Sequence, residues 1–428
     1  MERSDPRYQA YVEILKEELI PAMGCTEPIA LAYAAARARE VLGALPESVQ
    51  LQVSGSIIKN VKSVIVPNTG HLKGMEAAVA AGIIAGSAEK ELEVISEVSE
   101  EKKSAIRDYL QTVPITIEHT EQGHVFDIVV TERCGQDYAR VRIADYHTNI
   151  CRIEKNGTVL YEVPLLDETV QEDARADRSL LNMQDIWDFA ETADLRDVAD
   201  LLERQIRYNN AIAEEGLLGD YGANIGRVLL TTYGNDVSNR AKAKAAAGSD
   251  ARMNGCELPV IINSGSGNQG ISTTLPMAVF ADRMGIPEEK LLRAEFMGML
   301  MIMYMKKYVG RLSPVCGAML AGTGSAAGMA YMMGGTVAQV SGAVQNMMGS
   351  VAGIFCDGAK GGCAVKVAAC ASEAVYAAMY AMDGSVIGVS DGINSSAAED
   401  TAKNLAKLSH EALDTLDMKV IEIMQTKK

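Results

Sequence analysis

Three cysteines near the end of the chain have the residue type and the surroundings of ligands for a soft metal centre. Cys316, Cys356 and Cys363 follow the pattern C-x39-C-x6-C, and each has glycines close by. This spacing is too wide and too uneven for a ferredoxin cluster motif or for two zinc knuckles. It suits three thiolates that folding brings together, because nearby glycine lets the backbone approach a bulky inorganic ligand. Three thiolates on a four-iron cluster would leave one iron open, and an open iron can act as a Lewis acid on a substrate.

The same three cysteines have an alternative interpretation as packing residues, because free cysteine is among the most buried residue types. Residues 312–356 contain no Asp, Glu, Lys or Arg in a chain with 22% charged residues, which predicts burial. Membrane insertion is disfavoured, since glycines, Gln345 and Asn346 interrupt this run and the mean hydropathy of the chain is only +0.03. On these residues alone, a metal site and a packed core both stay open.

A fourth cysteine, Cys25, lies where the sequence predicts the start of a helix. In GCTEP, Thr26 can cap a helix that has Pro28 in its first turn. Unpaired amides and the helix dipole favour an anionic thiolate there, and a thiolate can act as a base, a nucleophile or a ligand. The alternative is a small residue that fills a tight turn.

A polar, glycine-rich segment between two apolar runs is a candidate for binding an anion. Residues 263–270, NSGSGNQG, can present several backbone amides to a carboxylate or phosphate. The segment lacks the Gly-Lys-Ser/Thr of a P-loop and the strand, helix and acidic-residue context of a dinucleotide fingerprint. Its chemistry is therefore not specified by the motif alone.

The composition indicates an acidic, soluble protein with a large core. A net charge of -16 over 428 residues argues against nucleic acid or an anionic membrane as the main partner. The first residues lack the apolar core of a signal peptide, and the eight cysteines are irregularly spaced. We therefore expect a cytoplasmic protein with free or metal-bound thiols, no nucleic-acid or membrane partner, and an oligomeric state that the sequence leaves open, a homo-oligomer included.

Hydrophobic periodicity predicts an α+β fold: a large, mostly α-helical domain with an inserted α/β domain that contains an antiparallel sheet. Residues 1–44 are predicted to form helices that pack with the helical domain, residues 45–165 the α+β domain, and residues 166–428 the helical domain that carries the three cysteines. Alternation over residues 49–66 predicts one or two strands, and Asn156-Gly157 predicts a hairpin. An acidic stretch near residues 165–179 predicts a linker or surface loop.

Several motifs together resemble the L-cysteine desulfidase family, which is also labelled serine dehydratase alpha-chain-like. They are GCTEP at 24–28, SGS followed by PNTG, NSGSGNQG at 263–270, SPVCG around Cys316 and CDGAKGGC at 356–363. The resemblance covers nearly the whole chain, and GCTEP and CDGAKGGC are its specific motifs. It implies an iron-sulfur enzyme with a [4Fe-4S] cluster that cleaves L-cysteine to pyruvate, ammonia and hydrogen sulfide without pyridoxal phosphate.

The resemblance also implies roles for individual residues. Cys316, Cys356 and Cys363 would hold three irons, and Cys25 would be the catalytic base that removes the substrate α-proton. From residue type we expect donors to the substrate carboxylate from Asn68, Thr69, Ser264, Ser266 and Asn268. The iron-sulfur L-serine dehydratases are more distantly similar, with Ser-His-Thr-x-Gly-Pro where this chain has Gly-Cys-Thr-Glu-Pro, so their acid-base residues do not transfer directly.

Two other functions stay open at this point. An L-serine dehydratase would use the same mechanism, because hydroxyl and thiol leaving groups make similar demands on an open iron. A non-catalytic amino-acid-binding or redox-sensing protein would keep the fold and use its cysteines as a switch. In each case the expected small-molecule partner is an amino acid, L-cysteine or L-serine.

Overall fold

The computed structural model confirms the α+β prediction, with helices forming most of the chain and one larger sheet beside them. It describes residues 1–120, 124–165, 176–310, 313–412 and 414–426. Residues 166–175, which make up most of the predicted acidic linker, lie outside the described residues. The predicted domain boundaries stay a prediction, and the main hydrophobic core includes Leu51 and Val130 of the sheet as well as Met299 of the helical part.

The helices account for both ends of the described chain and for almost all of its second half. In chain order they are α1 (Pro6–Glu18), α2 (Thr26–Leu42), α3 (Gly55–Val61), α4 (Gly74–Ala85), α5 (Glu100–Thr112), α6 (Met183–Thr192), α7 (Ala199–Leu218), α8 (Ile225–Tyr233), α9 (Val237–Met253), α10 (Gly267–Met284), α11 (Glu288–Val309), α12 (Gly317–Met332), α13 (Val337–Val351), α14 (Cys363–Met382), α15 (Ala398–Glu411) and α16 (Asp414–Thr426). Short 3₁₀ helices lie at Ala88–Glu93, Arg178–Leu180 and Leu195–Asp197.

The strands fall into a six-stranded sheet and a two-stranded one. They are β1 (Pro21–Met23), β2 (Ser48–Val53), β3 (Ile115–His119), β4 (Asp127–Cys134), β5 (Asp137–Ala144), β6 (Ile150–Lys155), β7 (Thr158–Glu162) and β8 (Pro259–Ile261). The larger sheet has the order β3-β2-β4-β5-β6-β7, and β1 pairs with β8. Because β2 and β3 run parallel while the other neighbours run antiparallel, the predicted antiparallel sheet is in fact mixed.

The predicted hairpin is confirmed between β6 and β7. Asn156 and Gly157 have φ angles of 50° and 82°, the left-handed pair that a tight two-residue hairpin requires. The Asn156 side chain also accepts a hydrogen bond of 2.7 Å from the Tyr138 amide. The turn residues thus fix the register of the sheet edge.

The prediction of strands over residues 49–66 is only half right. Residues 48–53 form β2, but residues 55–61 form the short helix α3, whose Ile57, Ile58 and Val61 are buried. A short apolar run does not distinguish a strand from a buried helix, because too few residues are present to establish a period. The helix matters for function, since it carries Asn60 toward the cavity described below.

The charge-free run forms closely packed helices, as its composition predicts. Helix α12 is buried along its length and packs against α10, α11, α13 and α14. At Gly324 a Cβ atom would lie 2.5 Å from the Gly298 carbonyl oxygen, so glycine is what allows α11 and α12 to approach this closely. Within the described ranges, no helix has the length and apolarity needed to cross a membrane.

Candidate active site

Most of the predicted site residues surround one cavity of about 110 Å³, enough for several ordered waters. The cavity is lined by Cys25, Ser266, Asn268, Cys316, Cys356 and Cys363. Glu27, Asn60, Arg252 and Lys366 line it as well. Motifs that are almost 300 residues apart in the chain, GCTEP and SPVCG, therefore meet in space.

Four helices begin at this cavity. Cys25, Ser266 and Cys316 are the N-cap residues of α2, α10 and α12, and Cys363 is the first residue of α14. None of the four N-termini has a side-chain capping bond, although the first three amides of α14 donate to the carbonyls of Lys360, Gly361 and Gly362. The aligned partial positive charges of four helix ends favour an anionic occupant.

Cys316, Cys356 and Cys363, which we call the cysteine group, are held together by a short backbone pairing. The Cys316 amide donates to the Ile354 carbonyl over 3.0 Å, and the Cys356 amide donates to the Pro314 carbonyl over 2.7 Å. Burial and the neighbouring Cys356 raise the pKa of Cys316 to about 11, and burial raises the pKa of Cys363. Without a cation these two sulfurs are thiols, and a bound metal would displace their protons.

The donor set of the cysteine group fits a cluster better than a single ion. Among the residues that the structure describes, no three His, Cys, Asp or Glu side chains are close enough to hold one metal ion. Thiolates that ligate different irons of a cluster do not need to share one ion, and soft sulfur donors suit iron-sulfur centres. The three thiols line the cavity, as the metal interpretation expects, and Cys316 and Cys363 also pack against the hydrophobic core.

The second group of cavity residues, Cys25, Glu27, Asn60 and Arg252, we call the polar group. Cys25 follows Gly24, whose φ of 61° turns the chain into α2. Cys25 itself is the N-cap, and Thr26, predicted to be the cap, is the first helical residue. The Thr26 hydroxyl instead donates to the Gly265 carbonyl over 2.7 Å and ties α2 to the glycine-rich loop.

The Cys25 thiol is in its neutral form in this environment. It is 2% exposed, and its Sγ donates to Glu27 Oε2 over 3.0 Å. Burial, together with the negative charge of Glu27, raises the pKa of Cys25 well above its usual value. The helix N-terminus alone does not produce the thiolate that the sequence predicts, because loss of hydration outweighs the helix dipole.

Glu27 is the ionised partner of this pair, and it was not among the residues predicted from the sequence. Its removal from bulk water opposes ionisation, but His147, the Cys25 S–H and Arg252 together hold the pKa of Glu27 below its usual value. The Asn60 side-chain amide donates to Glu27 Oε1 over 3.1 Å, so each carboxylate oxygen has a donor. The signal was present in GCTEP, whose glutamate comes two residues after the candidate base.

Three of the five predicted substrate-binding residues do not line the cavity. The Asn68 side-chain amide donates to the Ile95 carbonyl over 2.8 Å, and the Thr69 hydroxyl donates to the Val66 carbonyl over 2.7 Å. The Ser264 hydroxyl donates to Asn263 Oδ1 over 2.9 Å. Asn68 and Ser264 also have positive φ angles, of 58° and 49°, so they shape tight turns. Their polar groups are used to build the loops that support the cavity.

Ser266 and Asn268 do line the cavity, next to an arginine that the sequence analysis did not single out. Arg252, near the end of α9, donates through Nη1 to Asn268 Oδ1 over 3.1 Å. It lies in an Ala- and Lys-rich helical segment with no local motif, so only the fold reveals its position.

The chain matches known proteins over most of its length. The family model described as serine dehydratase alpha chain matches residues 89–422. A UPF0597 protein of Desulfitobacterium hafniense strain Y51 is 50% identical over 424 residues, or 99% of this chain and 98% of the relative. A UPF0597 protein of Lachnoclostridium phytofermentans is 44% identical over 97% of this chain and 99% of the relative. A UPF0597 protein of Treponema denticola is 40% identical over 98% of this chain and 98% of the relative.

Proposed function

We propose that this chain, which belongs to the serine dehydratase alpha chain family, is an iron-sulfur-dependent lyase that eliminates the β-substituent of a small α-amino acid. The proposed substrate is L-cysteine, and the products are pyruvate, ammonia and hydrogen sulfide. One observation carries the proposal: three cysteines and a hydrogen-bonded Cys25–Glu27 pair line the same cavity. A β-elimination needs both an electrophile for the leaving group and a base for the α-proton.

The cysteine group is the proposed ligand set for a [4Fe-4S] cluster. When bound, such a cluster would supply an open, Lewis-acidic iron for the departing sulfur. Lys366, beside Cys363, is paired with Asp357 and donates to the Phe355 carbonyl over 2.8 Å. These bonds stiffen residues 355–366, a loop and the first turn of α14, which carry two of the three sulfurs.

The polar group is the proposed proton-transfer machinery. Cys25 Sγ is the proposed acceptor of the α-proton, and it must first lose its own proton. Glu27 Oε2, already the acceptor of the S–H bond at 3.0 Å, is placed to take that proton. The S–H bond breaks and an O–H bond forms on Glu27, after which the thiolate is free to take the α-proton. Asn60 keeps the carboxylate oriented from its other oxygen.

L-serine dehydration is the second candidate, and the family description favours it. Both reactions remove a proton from Cα and a group from Cβ, so the same residues would serve. The distinction lies in the leaving group, and relative turnover of the two substrates measures it directly.

The test is an anaerobic purification followed by iron, sulfide and activity measurements on one sample. We expect about four irons per chain. Pyruvate should form from L-cysteine together with sulfide, and faster than from L-serine. The Cys25→Ala variant should keep its iron and lose roughly 100-fold or more of the turnover. Full activity of Cys25→Ala would remove the proposed base. An iron-loaded wild type that forms no pyruvate from either substrate would favour a binding or sensing protein.

A further inference from the structure

Arg252 is a buried cation with no matching anion at its own guanidinium. Its side chain is 2% exposed, and its Nε has no hydrogen-bond partner among the described residues. Nη1 donates to the neutral Asn268 side chain over 3.1 Å and to Met253 Sδ over 3.4 Å. Both of these hydrogen bonds go to neutral groups, and the charge of Glu27 reaches the guanidinium only through space. A buried charge whose hydrogen bonds go only to neutral groups is costly, so an anionic ligand bonded to it would stabilise it.

The other cation of the cavity gives a useful contrast. Lys366 forms an ion pair with Asp357 and donates to a backbone carbonyl, so its charge is already compensated within the protein. Arg252 influences Glu27 and Cys25 only through space, lowering the pKa of each. Of the two, Arg252 is the one left available for a ligand.

The glycine-rich loop is fitted to the guanidinium. A Cβ atom at Gly267 would lie 2.2 Å from Arg252 Nε and 2.7 Å from Cζ, so only glycine leaves room for the arginine here. Gly267 is also the first residue of α10, whose N-terminal amides have no side-chain cap. The loop thus places the guanidinium beside a helix end that itself favours an anion.

We propose that Arg252, with the N-terminus of α10, binds the α-carboxylate of the substrate and thereby selects α-amino acids. The inference rests on the proposed function for the identity of the substrate. In an α-amino acid the carboxylate and the α-proton share one carbon, so fixing the carboxylate at Arg252 presents the Cα–H bond to the same cavity that Cys25 lines. Arginine suits this role because its planar fork matches a carboxylate with two hydrogen bonds.

Two small thiols separate this role from a general effect on the site. 3-Mercaptopropionate has the carboxylate and lacks the amine, whereas cysteamine has the amine and lacks the carboxylate. Binding of each to the anaerobic, iron-loaded protein is measured by calorimetry, and inhibition of pyruvate formation is measured in parallel. In Arg252→Gln we expect 3-mercaptopropionate to bind about 10- to 100-fold more weakly and cysteamine to change less than about twofold.

Two further variants keep the test interpretable. Arg252→Lys retains a positive charge without the fork, so it should recover part of the affinity for 3-mercaptopropionate that Arg252→Gln loses. It also replaces Arg252→Gln as the test variant if Arg252→Gln folds poorly. Arg39→Gln removes an arginine near the far end of α2 that bonds only backbone carbonyls in the described residues, and it should leave both affinities unchanged.

The outcomes distinguish this inference from the proposed function. Equal weakening of both thiols in Arg252→Gln, or loss of its iron, would overturn the carboxylate role. So would unchanged binding of 3-mercaptopropionate in both Arg252 variants. Arg252-dependent carboxylate binding in a protein that turns over neither amino acid would support the inference and reject the lyase. Turnover without that dependence would reject the inference alone.

Discussion

The cysteine group and the polar group line one cavity, but they are stabilised in different ways. The three sulfurs of the cysteine group come from residues 316–363, and Cys363 Sγ has a long contact of 3.8 Å to the Gly358 carbonyl. The polar group comes from three helices, α2, α3 and α9, and its side chains bond to one another and to the glycine-rich loop. The polar group is therefore preorganised by the fold alone, whereas in the proposed function the cysteine group would be completed by its ligand.

The two groups also differ in charge state. Cys316 and Cys363 are held as thiols by burial, and only a bound cation makes them anionic. Glu27 is held as a carboxylate by its protein neighbours. Variants of the first group should therefore change iron content, and variants of the second should change turnover at constant iron content.

The largest effect is expected from removing a sulfur of the cysteine group. Cys356→Ala should lower the iron content and reduce turnover by more than about 100-fold, because a lost ligand exceeds the 10- to 100-fold effect typical of second-shell changes. Iron analysis and visible absorption measure the iron content, and pyruvate formation measures the turnover. Cys134 is a half-exposed cysteine at the end of β4, so Cys134→Ala is the matched control and should keep both its iron content and its turnover. Full iron content in Cys356→Ala would show that the group does not hold the cluster.

The next largest effect is expected at Glu27. Glu27→Gln keeps the size of the side chain but removes the proton acceptor for Cys25, so kcat should fall by about 10²- to 10⁴-fold with iron unchanged. Glu132→Gln is the control, because Glu132 is also a buried carboxyl but lies in β4 of the sheet. A Glu27→Gln enzyme with normal kcat would leave Cys25 without its proposed proton acceptor.

The same contrast explains what could be predicted from the sequence. Cys316, Cys356 and Cys363 are identifiable because their residue type is rare and glycines surround them. Arg252 is not identifiable from the sequence, because no local motif in its Ala- and Lys-rich helix distinguishes it from the other positively charged residues there. Asn60 was hidden by the strand predicted over α3, where a few apolar residues could not establish a helical period.

Three predicted polar loop residues lie away from the cavity lining, and their role in substrate binding stays a prediction. Asn68, Thr69 and Ser264 have the residue types of a binding loop, but short polar side chains also bond within the protein. Thr69 bonds to the nearby Val66 carbonyl, Asn68 to the distant Ile95 carbonyl and Ser264 to the Asn263 side chain. The sheet shows the same limit: Asn156-Gly157 fixes a local hairpin, whereas the parallel pairing of β2 with β3 depends on the packing of the helices between them. The local turn was predictable, and the long-range strand pairing was not.

A smaller effect is expected at Asn60, whose side chain contacts the Cys25–Glu27 pair through a hydrogen bond to Glu27. Asn60→Leu removes the donor to Glu27 Oε1, and a hydrogen bond to a charged group is worth about 1.5–3 kcal/mol, so kcat should fall about 10- to 100-fold. Asn404→Leu on α15, whose amide donates to the Ile393 carbonyl over 2.9 Å, is the control and should have normal kcat. A larger loss at Asn60 than at Glu27 would mean that Asn60 contacts the substrate itself.

The smallest effect concerns pH and separates the thiol of the polar group from the sulfurs of the cysteine group. The folded pKa of Cys25 is raised, so its contribution to stability is complete below the unfolded pKa near 9 and is lost as pH rises toward the folded value. That loss is at most about 1.4 kcal/mol per pH unit, and Cys25→Ala should remove it from the alkaline side of a thermal-unfolding profile. Cys134→Ala should leave the slope unchanged. Sulfurs bound to a cluster have the opposite dependence, because they lose stability as acid returns their protons. A Cys25→Ala profile parallel to the wild type above pH 9 would show that Cys25 is already ionised in the loaded protein.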